Sequence, residues 1–224
     1  MTKAELAKYI DQTNLKPGMT EEFITDFCKD AIKGGFASVC ILPTLVKTAA
    51  AALKGSATKV CTVISFPLGM DAPEVKICAT EEAIEHGAEE IDLVMNVSAL
   101  KSEKYEIVQQ ELAGVAKACH EKGALLKLII ETPLLTEDQI VKACQLAEEN
   151  GVDIVKSSTG FSAMLPRSTS VEDIVLMRKS IKPTTGLKAA GGIRTTEDAL
   201  KMIEAGATRI GASSGQALIA GLAE

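Results

Sequence analysis

Short apolar runs alternate with longer segments that carry helix start and stop signals along the whole chain. Runs such as 60–64 and 125–130 are almost continuously apolar, which is typical of parallel strands covered on both faces. The pattern predicts strands at 9–13, 36–42, 59–66, 90–96, 124–131, 152–156, 186–190 and 209–212. The helices predicted to follow them lie at 20–34, 43–53, 74–86, 103–121, 136–150, 170–180, 195–205 and 214–222, and a short helix at 2–8 precedes the first strand.

A strict strand–helix alternation forms either a doubly wound open sheet or a closed barrel. Eight such repeats in 224 residues, without a Gly-x-Gly-x-x-Gly opening, favour an α/β TIM (β/α)8 barrel with a short extra N-terminal helix. No linker or low-complexity segment divides the chain, so a single domain over 1–224 is expected. Gly87, Gly151 and Gly206 each end a predicted helix and are expected to adopt positive φ at the bottom of the barrel.

Composition narrows the range of partners. The net charge is -6 and the pI is near 5.2, so neither nucleic acid nor an anionic membrane is an expected partner. Aromatic residues make up 3% and Trp is absent, which argues against stacking on bases. The N-terminus does not read as a signal peptide, and a cytoplasmic protein with six buried thiols is expected. The two histidines and scattered cysteines lack zinc-type spacing, so no metal site is predicted.

Two lysines stand near the ends of neighbouring predicted strands, where barrel enzymes place their chemistry. Lys156 ends the sixth strand and Lys188 lies in the seventh, so their ammonium groups are expected within roughly 4–7 Å. A single strand lysine usually extends to the surface. Two buried like charges are costly unless they have a function or a carboxylate joins them.

A lysine beside another cation loses its proton more easily and becomes a nucleophile for carbonyls. This pattern suggests Schiff-base chemistry, in which the iminium accepts electrons from a breaking carbon–carbon bond. Asp92, in the fourth strand, could move protons, although a buried aspartate is as often a structural hydrogen-bonding group.

Two glycine-containing loops follow the seventh and eighth strands, where barrels often bind phosphate. Gly191 and Gly192 precede the helix at 195–205, and the segment 211–215 opens the last helix. Backbone N–H groups and helix N-termini at both places could hold a dianion. Arg194 either adds charge there or covers the surface.

Motifs spread over essentially the whole chain resemble the 2-deoxyribose-5-phosphate aldolase family. They are Tyr9-Ile10-Asp11-x-Thr13, Ala37-Ser38-Val39-Cys40, Phe66-Pro67-Leu68-Gly69, Glu90-Ile91-Asp92, Leu126-Lys127-Leu128-Ile129-Ile130-Glu131, Val155-Lys156-x-Ser158-Thr159-Gly160, Lys188-Ala189-Ala190-Gly191-Gly192-Ile193-Arg194 and Gly211-Ala212-Ser213-Ser214. The resemblance implies a class I aldolase on a TIM barrel that cleaves 2-deoxy-D-ribose 5-phosphate to D-glyceraldehyde 3-phosphate and acetaldehyde.

The resemblance also implies residue roles. Lys156 would form the Schiff base, Lys188 would perturb it, and Asp92 would donate and accept protons. The predicted substrate-binding residues are Asp11, Thr13, Cys40, Lys127, Thr159, Gly160, Gly191, Gly192, Ser213 and Ser214. Lys127 could instead pair with Asp92 or Glu131 in a structural role. The substrates would be small aldehydes and sugar phosphates, with no metal or organic cofactor, in a cytoplasmic homodimer.

Several positions depart from the family pattern, and all lie on the predicted catalytic face. They are Gln12, Asn14, Met70, Asp71, Ala72, Pro73, Pro133, Ser157 and the run Ala163-Met164-Leu165-Pro166-Arg167-Ser168-Thr169. We hypothesise that the pocket mouth has been remodelled for other aldehydes; the alternative is a divergent lineage with the normal activity. A sugar-phosphate epimerase or isomerase and a non-enzymatic sugar-phosphate sensor are the remaining alternatives.

Overall fold

The eight strands form a closed parallel barrel in which neighbours in the chain are neighbours in the sheet. The computed structural model describes residues 1–223, apart from the side chain of Ser162. The strands are β1 (Ile10–Asn14), β2 (Ser38–Ile41), β3 (Lys59–Ile64), β4 (Glu90–Val94), β5 (Leu125–Ile129), β6 (Ile154–Lys156), β7 (Gly186–Ala190) and β8 (Arg209–Ala212). Because β1 pairs in parallel with β8 as well as with β2, the TIM barrel is confirmed and the open sheet is wrong.

Helices cover the outside of the barrel. They are α1 (Lys3–Ala7), α2 (Glu21–Gly34), α3 (Val46–Ala52), α4 (Pro73–Glu85), α5 (Val97–Lys101), α6 (Tyr105–Glu121), α7 (Glu137–Glu149), α8 (Val171–Ser180), α9 (Thr196–Glu204) and α10 (Gly215–Ala220). The short N-terminal helix α1 is present, with Thr2 and Glu5 forming a capping box. Residue 224 of the predicted domain lies outside the described residues. Within those residues, no helix is both long and apolar enough to cross a membrane.

The helix predicted over 103–121 corresponds to α6 (Tyr105–Glu121), and a further short helix, α5 (Val97–Lys101), precedes it. Asn96 begins α5 by accepting a hydrogen bond from the Ala99 N–H at 2.9 Å. Glu103 then has φ of 57°, a left-handed conformation that a right-handed helix does not accommodate. The predicted helix is therefore confirmed but begins two residues later, at Tyr105, and the sequence pattern did not predict the short helix α5 before it. The three glycines predicted to end helices do have positive φ, at 107° for Gly87, 76° for Gly151 and 111° for Gly206.

Charged side chains occupy the barrel lumen, which in most TIM barrels is filled by branched aliphatic residues. Asp92 and Lys127, which are register partners on β4 and β5, are both fully buried and in contact. The alternate residues of β4, Ile91 and Leu93, belong instead to the main apolar core. The hydrophobic core thus holds the helices to the barrel, while the lumen is reserved for ionisable groups.

A buried ion pair outside the lumen fixes the β3–α4 loop. Lys76 Nζ lies 2.5 Å from Glu111 and also donates to the carbonyls of Gly69 and Val94 at 2.9 and 3.0 Å. Every proton of the ammonium therefore has an acceptor, as a buried charge requires. The contact ties the loop that carries Phe66 to the end of β4.

Candidate active site

Lys156 and Lys188 lie side by side, as the strand pattern predicts. They are direct partners in the parallel register of β6 and β7. Lys156 Nζ donates to Asp92 Oδ2 at 2.7 Å, and Lys188 Nζ donates to the same oxygen at 2.8 Å. The two nitrogen atoms therefore cannot be further apart than the sum of these distances. A carboxylate does join the two lysines, which offsets the cost of burying like charges.

Asp92 is the centre of this arrangement. Its Oδ1 accepts hydrogen bonds from Lys127 Nζ at 2.8 Å and from Cys61 Sγ at 3.2 Å. Burial raises the pKa of Asp92, but the charges of the three surrounding lysines outweigh it and hold the pKa well below its ordinary value. Asp92 is therefore ionised at rest. It can accept a proton directly, whereas it can donate one only after it has been protonated.

More ion pairs lie beneath Asp92. Lys188 Nζ is 2.5 Å from Asp11 Oδ2, and Arg209 Nη1 is 2.6 Å from Asp11 Oδ1. Although burial lowers the pKa of Lys188, the charges of Asp11 and Asp92 raise it well above its ordinary value. Lys188 is consequently a fixed cation beside Lys156 and not itself a nucleophile.

Lys127 has a similar environment. Its Nζ lies 2.6 Å from Glu90 and 2.8 Å from Asp92. Burial lowers the pKa of Lys127, yet these carboxylates together with Asp11 raise it well above its ordinary value. Of the two partners that the sequence suggested for Lys127, the structure therefore shows Asp92 and not Glu131.

The linked charges carry one excess positive charge. Among the described residues, the set contains the cations Lys127, Lys156, Lys188 and Arg209 and the carboxylates Asp11, Glu90 and Asp92. Loss of one proton from a lysine would make the set neutral. Lys156 is the lysine of this set that lines a cavity, with 3% of its surface exposed against 0% for Lys127 and Lys188. Lys156 is therefore the lysine of this set that a carbonyl compound in the cavity can reach.

A cavity of about 370 Å³ opens above Lys156 at the carboxyl ends of the strands. The predicted site residues that line it are Thr13, Lys156, Thr159, Gly160, Gly191, Gly192 and Ser213. One wall is apolar, where the rings of Phe66 and Phe161 meet edge to face with centroids 6.3 Å apart. The cavity therefore offers a polar and an apolar side to a ligand.

Four predicted substrate-binding residues do not line this cavity. Asp11, Cys40 and Lys127 are fully buried beneath it. Ser214 precedes α10 and is also absent from the cavity wall. Substrate contact by these residues stays a prediction, while the contacts of Asp11 and Lys127 are to other charged side chains.

Some of the backbone N–H groups at the predicted anion site before α9 already have acceptors. The N–H groups of Arg194 and Thr195 both donate to Asp198 Oδ2, at 3.1 and 3.0 Å. The Asp198 N–H in turn donates to Thr195 Oγ1 at 3.1 Å, so these three N–H groups are not available to a phosphate. The flanking glycines remain, with φ of 94° at Gly191 and 88° at Gly192. Gly192 also packs closely on Ser168, since an added Cβ would lie 2.8 Å from it.

Cys40, Cys61 and Asp92 form the group of described residues whose ligand atoms could surround a metal, since these atoms lie within 4.8 Å of one another. Three lysine ammonium groups already bind the Asp92 carboxylate. Their charges oppose a divalent cation at this position. The arrangement therefore suits ammonium chemistry better than metal binding.

Comparison with known proteins places this geometry in a family. The family model described as DeoC/LacD family aldolase matches residues 6–223. The chain belongs to the DeoC/LacD aldolase family. It is 52% identical over 223 residues to a deoxyribose-phosphate aldolase of Thermococcus kodakarensis, covering 99% of this chain and 98% of that relative. A deoxyribose-phosphate aldolase of Listeria innocua is 52% identical over 216 residues, 96% of this chain and 95% of the relative.

A solved structure supports the same assignment. The deoxyribose phosphate aldolase from Aeropyrum pernix, described as having a unique tetrameric structure, superposes with a TM-score of 0.89 at 32% identity, over 98% of this chain and 91% of that one. The family resemblance predicted from the motifs is therefore confirmed.

In this DeoC/LacD aldolase, Glu131 anchors the loop that follows the reactive strand. Its carboxylate accepts hydrogen bonds from the Ser158 hydroxyl and from the Thr159 N–H, the latter at 3.1 and 3.2 Å. Glu131 is 3% exposed and has φ of 58°, a conformation that costs free energy in a non-glycine residue. Its place at the end of the fifth strand pointed to the site, but the contact with Ser158 was not predictable from sequence spacing.

Replacing Glu131 by alanine is expected to lower kcat/KM for aldol cleavage roughly tenfold or more, because a buried loop loses hydrogen bonds to a charged acceptor. Glu131→Gln, which keeps one acceptor oxygen, should fall between the alanine variant and the wild type. Steady-state kinetics measure both. Glu137→Ala, in the first turn of α7, is the control and should behave as the wild type. Equal rates for Glu131→Ala and the wild type would contradict the anchoring role.

The family departures have different environments in this DeoC/LacD aldolase. Gln12 Oε1 accepts a hydrogen bond from the Gly215 N–H at 2.9 Å, joining β1 to α10. Met70 and Met164 are exposed at 55% and 47%. Leu165 and Arg167 line the cavity, so among these five positions the predicted remodelling reaches the cavity through the loop after β6.

Proposed function

We propose that this chain reversibly cleaves 2-deoxy-D-ribose 5-phosphate to D-glyceraldehyde 3-phosphate and acetaldehyde through a Schiff base on Lys156. The observation that carries the proposal is the position of Lys156, which shares one carboxylate oxygen with a fixed cation and also faces the cavity. The names of the relatives from Thermococcus kodakarensis and Listeria innocua support the substrate.

The first step forms the covalent intermediate. The free amine of Lys156 adds to the aldehyde carbon of the open-chain sugar, and loss of water from the resulting carbinolamine leaves an iminium. Asp92 is ionised and 2.7 Å from Lys156 Nζ, so it can take the ammonium proton and return it to the departing hydroxyl. The fixed charge of Lys188 keeps the carboxylate ionised between these transfers.

The second step breaks the bond between the second and third carbons of the sugar. A base removes the proton of the hydroxyl on the third carbon, the carbonyl of glyceraldehyde phosphate forms, and the bonding electrons move into the iminium to give an enamine. We assign the proton transfers to Asp92, directly or through a water molecule. Protonation of the enamine and hydrolysis then release acetaldehyde and regenerate Lys156.

The phosphate is proposed to bind at the loops after β7 and β8. Gly191, Gly192 and Ser213 line the cavity there, together with the cationic side chains of Lys16 and Arg194. Arg167 also lines the cavity, but its guanidinium is held by Asp173 at 2.5 and 2.9 Å. Lys16 and Arg194 are therefore the better charge partners for a dianion.

Cleavage of 2-deoxy-D-ribose 5-phosphate, followed by appearance of glyceraldehyde 3-phosphate, tests the proposal. Arg194→Met should raise KM for the phosphorylated sugar roughly tenfold, since one charge-assisted contact is lost, and leave the rate with unphosphorylated 2-deoxyribose unchanged. Lys201→Met, in an exposed pair on α9, is the control. No detectable cleavage by the wild type would refute the proposal, and an equal change with both sugars would remove Arg194 from phosphate binding.

A second candidate is the same chemistry on other aldehydes. It is favoured by the apolar cavity wall, to which Leu165 contributes beside Phe66 and Phe161. Leu165→Ser should then lower kcat/KM for apolar acceptor aldehydes several-fold more than for glyceraldehyde 3-phosphate, because burial of each methylene group contributes about 0.8 kcal/mol. Steady-state kinetics of aldol addition with both acceptors measure this difference. Equal changes in kcat/KM for both acceptors would support deoxyribose phosphate as the substrate and contradict the second candidate.

The remaining expectations stay predictions. We propose an oligomer of identical chains, with the predicted homodimer as the form to test by light scattering; the Aeropyrum pernix relative is described as tetrameric. A cytoplasmic location and a reaction without metal or organic cofactor follow from the family resemblance.

A further inference from the structure

Two cysteines lie next to each other below the cavity. Cys40 on β2 and Cys61 on β3 are direct register partners and both are fully buried. Their sulfur atoms and an Asp92 oxygen lie within 4.8 Å of one another. Adjacent strands are about 4.8 Å apart, which is within the range of Cα separations that a disulfide spans. The two thiols can therefore be linked without opening the barrel.

The environment makes the two thiols chemically different. A hydrogen bond with the Cys61 thiol, assisted by the charges of Lys188 and Lys156, lowers the pKa of Cys40 against the effect of burial. Burial raises the pKa of Cys61 well above its ordinary value. The lysine charges favour the thiolate form of Cys40, which is the form that attacks a peroxide.

The pair is close to both the cavity and the proposed proton-transfer group. Cys40, Cys61 and Val63 form a small apolar cluster that packs against Phe66 and Leu15, and both of these line the cavity. An oxidant the size of water therefore has one layer of side chains to cross. On its other side, Cys61 Sγ donates to Asp92 Oδ1 at 3.2 Å.

We propose that Cys40 and Cys61 form a reversible disulfide that switches the aldolase off under peroxide stress; this inference rests on the proposed function. The Cys40 thiolate attacks one oxygen of hydrogen peroxide, the O–O bond breaks, and the leaving hydroxide takes a proton to become water. The Cys61 sulfur then attacks the sulfenic sulfur of Cys40, loses its proton, and expels a second water. Two thiols lose two electrons, and one peroxide is reduced to two waters.

The disulfide acts on the site through Asp92. On oxidation, Cys61 loses the S–H that donates to Asp92. Its sulfur, which lies 3.2 Å from Lys127 Nζ in the structure with free thiols, moves towards Cys40 and away from Lys127. The carboxylate that holds Lys156 then loses a hydrogen bond and part of its support. Loss of a hydrogen bond to a charged group is expected to lower the cleavage rate roughly tenfold.

Peroxide treatment of the purified full-length protein at neutral pH tests the inference. Peptide mass mapping without reductant should find a Cys40–Cys61 linkage, the rate of aldol cleavage should fall roughly tenfold, and dithiothreitol should restore it. Cys61→Ala should keep its own untreated rate after the same exposure. Cys78→Ser and Cys119→Ser, outside the site, are controls that should lose activity as the wild type does.

Absence of the linkage in the oxidised wild type would overturn the inference, and so would reversible inactivation of Cys61→Ala to the wild-type extent. Cys40→Ala provides a second variant, and thermal unfolding of both variants identifies any that fail to fold. Because the linkage is read by mass, its formation is established independently of catalysis. If the disulfide forms on oxidation but the protein has no aldolase activity before oxidation, the proposed function is refuted instead.

Discussion

Replacing Lys156 by alanine is expected to abolish covalent trapping of acetaldehyde and to lower aldol cleavage by at least about 10³-fold. The amine that attacks the carbonyl is then missing, and the remaining lysines of the lumen are fully buried at 0% exposure. Borohydride reduction in the presence of acetaldehyde should attach one ethyl group to the wild-type chain, on Lys156. Intact mass and peptide mapping measure the modification.

Two variants separate the chemistry of Lys156 from nonspecific labelling. Lys16→Ala removes an accessible lysine that lines the same cavity, and it should still acquire the ethyl group. Lys188→Ala removes the buried neighbouring lysine and keeps the Lys156 amine, so it should still acquire the ethyl group. An undiminished adduct in Lys156→Ala would end the Schiff-base proposal for this residue.

Asp92→Asn is expected to reduce both activity and stability. The substitution removes the carboxylate shared by three buried ammonium groups, and leaving a buried charge uncompensated costs about 3–5 kcal/mol of unfolding free energy. For a chain of this size that corresponds to a fall in Tm of roughly 6–20 °C. Cleavage should fall by at least about 10²-fold, since the proposed proton-transfer group is lost. Calorimetry and steady-state kinetics measure the two effects.

The stability effect has a defined pH dependence. Since the folded-state pKa of Asp92 is well below the ordinary value, its stabilising contribution is complete above the unfolded pKa of about 3.9 and is lost as pH falls. The difference in unfolding free energy between the wild type and Asp92→Asn should therefore be at its full value at pH 6 and become smaller in more acidic solution. Asp71→Asn, on an exposed loop of the same face, is the matched control. A difference that stays constant down to acidic pH would exclude the ion pairs as its cause.

The position of a residue within its strand predicted the central contact of the site well. Lys156 and Lys188 end or nearly end adjacent strands, and parallel register alone brings them together. The position of Lys127 early in its strand also predicts that it lies deeper than Lys156, and it is fully buried. Substrate contact by Asp11 and Lys127 stays a prediction, since their contacts in the structure are to other charged side chains.

Contacts that depend on side-chain reach were not predictable. Arg209 begins β8, yet its guanidinium lies 3.3 Å from the carboxylate of Glu90. Glu90 is the first residue of β4, on the far side of the barrel. By contrast, the capping box at the start of α9 has a sequence signature, Thr195 followed three residues later by Asp198. That signature predicts which backbone N–H groups at the start of this helix are not available to an anion.

The ion-filled lumen also restricts how this chain can evolve. Most lumen charges contact more than one partner, as Lys127 does with Glu90 and Asp92. A single neutral replacement strands a charge, whereas a paired replacement such as Lys127→Met with Glu90→Gln removes both partners, so the two substitutions should be strongly epistatic. We therefore expect new activities to arise more easily through exposed positions of the loop after β6, such as Met164, than through the charges of the lumen.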